Sequence, residues 1–596
     1  MPASLTYPGV YIEEISSGVR TIVGAATSIT AFIGCAARGP VNEPVTINNF
    51  GDFERVFGGI WLKSTMSFAV RDFYMNGGSQ AIVVRLFSPS FEKEAERNKA
   101  LIAAVAVANA ANDKAVQIAK DGANAVKDAA QNEAAKYIID PEKTAALAVA
   151  NAAQAAAEKI DATAESVKEA ARKEAENYLA EPEKTAAKAV AAAAQAKFEE
   201  IEKNGSNPVK EAAVNEAIKY AAEPEKTAAD IVSASAQQAA SRQGATADSV
   251  AYAAREAIGL AAPTAKALLS AGSLNLQAAN EGSWGNQIEA SIDWDVKDPN
   301  SDLFNLTITD GTGQAEVFRN VSVAQNHQRR IDKVLNQSSQ ILRIFGNLPD
   351  GRPGEVSAEV LPEGMASDGK EPEYLGSESA KKGIYALEKA DIFNLLCIPP
   401  ATIDSDLAPD VIAQAAIYCE KRRAMLIVDP PAGWTSKETA KSGISSIGTN
   451  SKNAALFFPR LRQPNPLKGN QMGTFVPCGA VAGVIARTDS QRGIWKAPAG
   501  LEATLVGVPQ LSVPLTDMEN GELNPLGINC LRAMPAAGRI IWGSRTMQGD
   551  DRLSSEWKYI PVRRMALYIE ESLYRGTQWV VFEPNDEPLW AQIRLN

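Results

Sequence analysis

The residues best placed to do chemistry are Asp429, just past the apolar run Ala424 to Val428, and the later stretch Arg487-Thr488-Asp489-Ser490-Gln491-Arg492. A carboxylate at the end of a strand, with a second carboxylate and two guanidiniums on a later loop, resembles the active-site edge of an α/β sheet. The chemistry would be metal-free, run by Asp429, Asp489 and an Arg around one pocket. Every companion motif is missing. Gly58 to Ser64 ends in Leu62-Lys63-Ser64 and lacks the glycine that lets backbone wrap a phosphate. Gly443-Ile444-Ser445-Ser446-Ile447 lacks the last glycine of a nucleophile elbow. The chain has a single histidine, His327, in the polar loop Ala324 to Arg330, so multi-histidine metal sites and most Ser-His or Cys-His pairs are excluded unless it serves. Asp429 therefore reads as a turn or helix-cap carboxylate, Asp489 with Arg487 and Arg492 as a structural or intersubunit ion pair, and His327 as an exposed loop residue.

Two further arginines, Arg563 and Arg564, lie with Glu570 and Glu571 on a segment of helical spacing, Tyr559 to Glu571. They form either a solvated face or a charge-complementary subunit contact. The five cysteines, Cys35, Cys397, Cys419, Cys478 and Cys530, are odd in number and embedded in apolar stretches, which reads as reduced core residues of a protein made in a reducing cytosol.

The elements that must position these residues span 596 residues, enough for about four domains. Apolar residues at 45% and charged residues at 22% fit soluble globular domains. A net charge of −11 argues against nucleic acid or anionic lipid as the main partner. Met1 to Tyr7 lacks the features of a secretory signal, and no run of about 18 strongly apolar residues is present.

From Glu92 to Ala262 the chain becomes Ala-rich, with 27 acidic and 21 basic side chains. Asp140-Pro141-Glu142-Lys143-Thr144, Glu181-Pro182-Glu183-Lys184-Thr185 and Glu223-Pro224-Glu225-Lys226-Thr227 recur at 41 and 42 residues, and Val126, Val167, Val209 and Val250 keep the same period. Pro141, Pro182 and Pro224 suit first helical positions, while Asn124, Thr163, Asn207 and Thr246 suit N-caps, with Gly122, Gly205 and Gly244 as turns upstream. The reading is an array of helical hairpins over about four repeats, with long, loosely associated helices as the alternative. Around this insertion, Thr27 to Gly34 and Ala81 to Phe87 read as strands, as do the alternating Ile288 to Trp294 and Phe304 to Thr309. A mixed α+β domain, residues 21–91 and 263–350, is thus expected to be split by the insertion at 92–262. Residues 351–382 read as a loop or linker, and 383–596, with apolar runs at Ile392 to Ile398, Ala424 to Val428 and Ala454 to Phe458 between helical segments, as a parallel sheet covered on both faces. The fold class expected is a multidomain combination of α/β and α+β.

Eight segments in order resemble the tail sheath family of contractile phages and related contractile injection systems. They are Tyr7-Pro8-Gly9-Val10-Tyr11-Ile12-Glu13-Glu14, Thr27 to Gly34, Glu281-Gly282-Ser283-Trp284-Gly285-Asn286, Gly479 to Asp489, Gly493-Ile494-Trp495-Lys496-Ala497-Pro498-Ala499, Trp542-Gly543-Ser544-Arg545-Thr546, Trp557-Lys558-Tyr559, and Trp579 to Asn585. The resemblance implies a structural protein without catalysis or cofactor. Its core would be a mixed sheet flanked by helices, and its outer domain would carry the insertion on the exterior. Copies would stack as hexameric rings around an inner tube and contract to drive that tube through a target envelope. Implied partners are other copies, the inner tube protein, and baseplate and terminal cap proteins, with assembly in the cytoplasm and neither nucleic acid nor direct membrane insertion. The stretch Tyr7 to Glu14, β-prone and too isolated to bury its own faces, is the natural strand to lend to a neighbour's sheet, with Arg563 and Arg564 as further intersubunit contacts. The family's chain usually continues past Asn585 into a further helix and a C-terminal arm. Here the sequence stops at Asn596, so a shortened sequence, or a variant whose partner supplies the arm, is expected. A metal-free α/β enzyme and a helical-repeat adaptor are the competing readings.

Overall fold

A strand that is apolar at every position needs cover on both faces, and this requirement decides which parts of the chain come together. The computed structural model describes residues 22–136, 142–157, 163–177, 183–242, 245–296, 302–313, 315–361 and 364–595. In chain order the elements are β1 (Thr30–Gly34), β2 (Val45–Ile47), α1 (Phe50–Phe57), α2 (Met66–Met75) and β3 (Ala81–Arg85). Six helices follow: α3 (Glu94–Ala134), α4 (Glu142–Ala157), α5 (Ala164–Ala175), α6 (Glu183–Ala217), α7 (Glu225–Ala240) and α8 (Ala247–Ala261). Then come β4 (Leu268–Ala271), β5 (Leu274–Ala278), β6 (Glu289–Asp293), β7 (Phe304–Thr309), β8 (Ala315–Val321), α9 (Ile331–Ser338), β9 (Leu342–Ile344) and β10 (Val356–Ala358). The remainder comprises β11 (Leu395–Cys397), α10 (Pro409–Lys421), β12 (Met425–Val428), α11 (Lys437–Gly443), β13 (Ala454–Phe458), β14 (Leu461–Asn465), β15 (Gln471–Phe475), α12 (Cys478–Arg492), β16 (Gln510–Leu511), α13 (Asp517–Leu523), β17 (Ile528–Met534), β18 (Gly538–Ile541), α14 (Ile560–Gly576) and α15 (Glu587–Leu595). Two units result, one of residues up to 87 together with those from 371 onward, the other of Ser88–Lys370.

The first unit is built on an eight-stranded sheet in the order β18-β17-β13-β12-β11-β1-β3-β2, parallel except at its edges. β1, β3, β11, β12 and β13 are buried at every residue. Alternate side chains feed two cores. Ile33, Val84, Leu396 and Leu426 pack with Ala415 and Cys419 of α10, while Phe32, Val83, Leu395 and Ile427 pack with Phe73 of α2 and Val481 of α12. α12 approaches α2 closely at two glycines one turn apart: a Cβ on Gly479 would stand 2.0 Å from the carbonyl oxygen of Ala69, and one on Gly483 2.4 Å from that of Phe73.

The expected outer domain joining 21–91 to 263–350 is corrected here. β1 pairs in parallel with β11, Thr30 opposite Leu395, and with β3, Thr30 opposite Ala81. Both-face burial is available to these apolar strands in the parallel sheet. The alternating β6 instead joins the four-stranded sheet β10-β6-β7-β8 of the second unit, which with β4-β5-β9 encloses a core including Leu276, Ile292, Leu306 and Leu335. Within the stretch read as a linker, β10 pairs with β6, Ala358 opposite Ala290.

In the Ala-rich region, Thr163 and Thr246 cap α5 and α8, each in a reciprocal capping box with the serine three residues on. Asn124 and Asn207 cap nothing, because α3 and α6 run straight through them. The glycines upstream mark helix contacts, not turns: a Cβ on Gly122 would meet Ala164 at 3.2 Å, and one on Gly205 would meet Ala247 at 3.4 Å. Pro224 stands immediately before α7, while Pro141, Pro182 and Gly244 lie outside the described residues. The expected hairpin array is therefore two bundles sharing two long helices. Val126 and Ala130 of α3 pack with α4, α5 and Val190 of α6; Ala103 and Val107 of α3 pack with Val209 of α6, α7 and α8. The four period-marking valines are fully buried.

Candidate assembly interface

The residues that invited a catalytic reading are not brought together. Asp429 follows β12 and accepts a hydrogen bond through Oδ1 from the backbone N–H of Cys478, 2.9 Å away, so it caps the start of α12. Asp489 lies on the same helix eleven residues later, roughly 16 Å along its axis at 1.5 Å per residue. Arg487 donates to the carbonyl of Thr504 at 2.7 Å, and Arg492 pairs at 2.7 Å with Glu502 at the surface. His327, itself half-buried in an otherwise exposed turn, accepts through Nδ1 from the Arg329 N–H at 3.1 Å. Among the described residues no cluster of three or more His, Cys, Asp or Glu could hold a metal ion. Cys397, Cys419, Cys478 and Cys530 are buried free thiols, and burial pushes Cys530 up to about 12.

Burial raises the Asp429 carboxyl to about 6, against the lowering effect of the Cys478 hydrogen bonds and of Arg460. Between about pH 4 and 6 the folded state holds a proton that the unfolded state has lost, so this group's contribution weakens as pH rises, by an amount on the order of 2–3 kcal/mol. Asp429→Asn keeps an acceptor for Cys478 without a charge. It should raise the melting temperature at pH 7.5 and lose that advantage by pH 4; a difference independent of pH would contradict the assignment.

The expected intersubunit role of Arg563 and Arg564 is corrected to an internal one. Both are buried, with side chains 6% and 3% exposed. Arg563 donates to Oδ1 of the buried Asn453 at 2.8 Å and to Glu570 at 3.0 Å, and its guanidinium sits 4.7 Å from the Trp557 ring centre. Arg564 makes a bidentate pair with Asp489, 2.7 and 2.6 Å, and a further bond of 2.8 Å to the carbonyl of Thr27. An amphipathic helix shows that two arginines share it, but not which of its flanks is covered; the acceptors of Arg564 come from Asp489 and Thr27, 75 and 537 residues away. Beside the exposed Glu570, α14 presents apolar residues to solvent: Val562, Ile569, Leu573 and Tyr574 are 45–54% exposed, followed by Val581 at 70% and Phe582 at 98%. Val562 and Ile569 fell within the segment of helical spacing, Val581 and Phe582 within the resemblance, and Leu573 and Tyr574 within neither; none was singled out, since exposure is not written in residue type. The segment Tyr7 to Glu14 lies outside the described residues.

Residues 374–547 match the family described as phage tail sheath protein central domain. That stretch holds five of the eight strands of the sheet, β11, β12, β13, β17 and β18. The tail sheath protein of Enterobacteria phage T4 is 26% identical over 121 residues, 20% of this chain and 18% of that protein. A chain of the anti-feeding prophage baseplate is 29% identical over 35% of this chain and 52% of its own length, with a TM-score of 0.28. The sheath tail protein of Listeria innocua is 10% identical over 96% of this chain and 84% of that one, with a TM-score of 0.47. The chain thus spans about a fifth of the curated relative and about half of the baseplate chain. The resemblance to tail sheath proteins is borne out, and the match is to a structural domain of phage tails and not to an enzyme family.

Proposed function

We propose that this chain is the subunit of a contractile sheath, stacking as hexameric rings around an inner tube and contracting to drive that tube through a target envelope. The observation that carries the reading is the match of residues 374–547 to a sheath central domain, falling on the parallel sheet. Residues 7–14 are the strand lent to a neighbour. Among the described strands of the first unit, β15 is the favoured acceptor: its outer edge pairs with no other described strand across five residues, whereas β18 already contacts the segment near Thr504 and β2 is three residues long. The exposed apolar residues of α14 and of 581–582 supply further surface for contacts between copies. Inner tube, baseplate and terminal cap proteins complete the assembly. No described helix is long and apolar enough to cross a membrane. Negative-stain microscopy of the expressed chain tests the proposal: striated tubes or stacked rings support it, and a monodisperse population contradicts it.

The Ala-rich helices decorate the assembly. α3 begins and α8 ends in one shared cluster, Ala100 and Ala103 with Ala257 and Ala261, so the chain leaves and returns at neighbouring points. Replacing residues 92–262 by a short Gly-Ser linker should leave tube formation intact in the same micrographs; loss of all tubes would make the insertion integral.

A further inference from the structure

The described chain begins with eight residues, 22–29, that belong to no helix or strand yet are held almost residue by residue. A Cβ on Gly576 would lie 2.7 Å from Ile22, and one on Gly24 2.2 Å from the Tyr568 hydroxyl, so α14 closes on this segment at two places about two turns apart. The Ala25 N–H donates to Ser572 Oγ at 3.0 Å. Asn394, just ahead of β11, donates to the Ala26 carbonyl at 2.7 Å and accepts from the Ile29 N–H at 3.0 Å. Arg564, buried and paired with Asp489, donates to the Thr27 carbonyl. α14 is itself fastened to the chain ahead of the central strands: Arg575 makes a bidentate contact with Asp391 at 2.9 and 3.0 Å and reaches Glu571 at 2.7 Å, and Glu571 also accepts from Arg423 at 2.5 Å. Asp391 and Arg423 stand just before β11 and β12 in the middle of the sheet.

We propose that residues 22–29 and α14 form a clasp that takes the pull of the N-terminal segment and passes it into the central strands, with Arg564, Ser572 and Asn394 as its positioning residues. Its purpose rests on the strand-lending reading above. A backbone segment lying free on the surface would peel from its root when a neighbour moves. Here each point of peeling must break a separate bond to a buried or fastened group, and the donor to Thr27 is a charge that cannot follow the segment into water because Asp489 holds it.

The test uses the full chain. In the double variant Arg564→Met with Asp489→Leu, both charges go together and the Thr27 carbonyl loses its donor. Amide hydrogen exchange of Ala25 and Ile29 should accelerate at least tenfold while that of β1 is unchanged, and tubes of the variant, once sonicated alongside wild type, should break to at most a third of the wild-type mean length. Unchanged exchange would overturn the clasp, and so would faster exchange with equal tube lengths. Should the double variant fail to fold, Ser572→Ala combined with Gly24→Ala takes its place with the same expectations. If the wild-type chain forms no tubes, the sheath reading fails on its own and exchange alone decides the clasp.

Discussion

Arg564→Ala should cost about 3–5 kcal/mol of stability, because it strands a carboxylate that is 4% exposed without its partner. The Thr27 carbonyl loses its donor in the same step. The replacement of both members by Met and Leu should recover most of that loss, since the desolvation cost of the pair disappears with the charges. Urea unfolding of the soluble chain measures both: a large drop in midpoint for the single variant and a small one for the double. Equal drops would mean that the pair is not what holds this corner. By contrast the surface pair Arg492–Glu502, 51% and 66% exposed, should contribute under about 1 kcal/mol.

Deletion of residues 2–20 should abolish tube formation while leaving the monomer folded. About five backbone hydrogen bonds to a neighbour's strand, each worth roughly 1 kcal/mol net, amount to a factor of several thousand in the association constant of each contact. The body should not notice, because the clasp starts at Ile22 and β1 at Thr30. Sedimentation with an unchanged melting curve checks the expectation; tubes of normal length from the deleted chain would refute it.

How far the sequence carries depends on whether a residue's environment is local. The apolar runs around Leu395, Met425 and Ala454 were legible as strands because an uninterrupted run of four or five apolar residues ending at proline or Asp-Pro has few other uses, and Thr163 and Thr246 were legible as caps because a cap is satisfied within four residues. Pairing over distance was not legible. β1 and β3 had to choose between the alternating strands next along the chain after the insertion and an apolar sheet beginning at Leu395, and burial on both faces decided it. Gly122 and Gly205 misled because glycine serves turns and tight helix contacts alike, and only the neighbours Ala164 and Ala247 tell which. Arg563 and Arg564 misled for the same reason: their partners Asn453, Asp489 and Thr27 lie far away in sequence.

The central claim is that copies are joined by a strand each one lends. Cryo-electron microscopy of the assembled tube at side-chain resolution tests it most directly: residues 7–14 should run as an added strand along another copy's sheet, with β15 the expected edge. Density placing them against the chain they belong to, with no neighbouring sheet alongside, would contradict it.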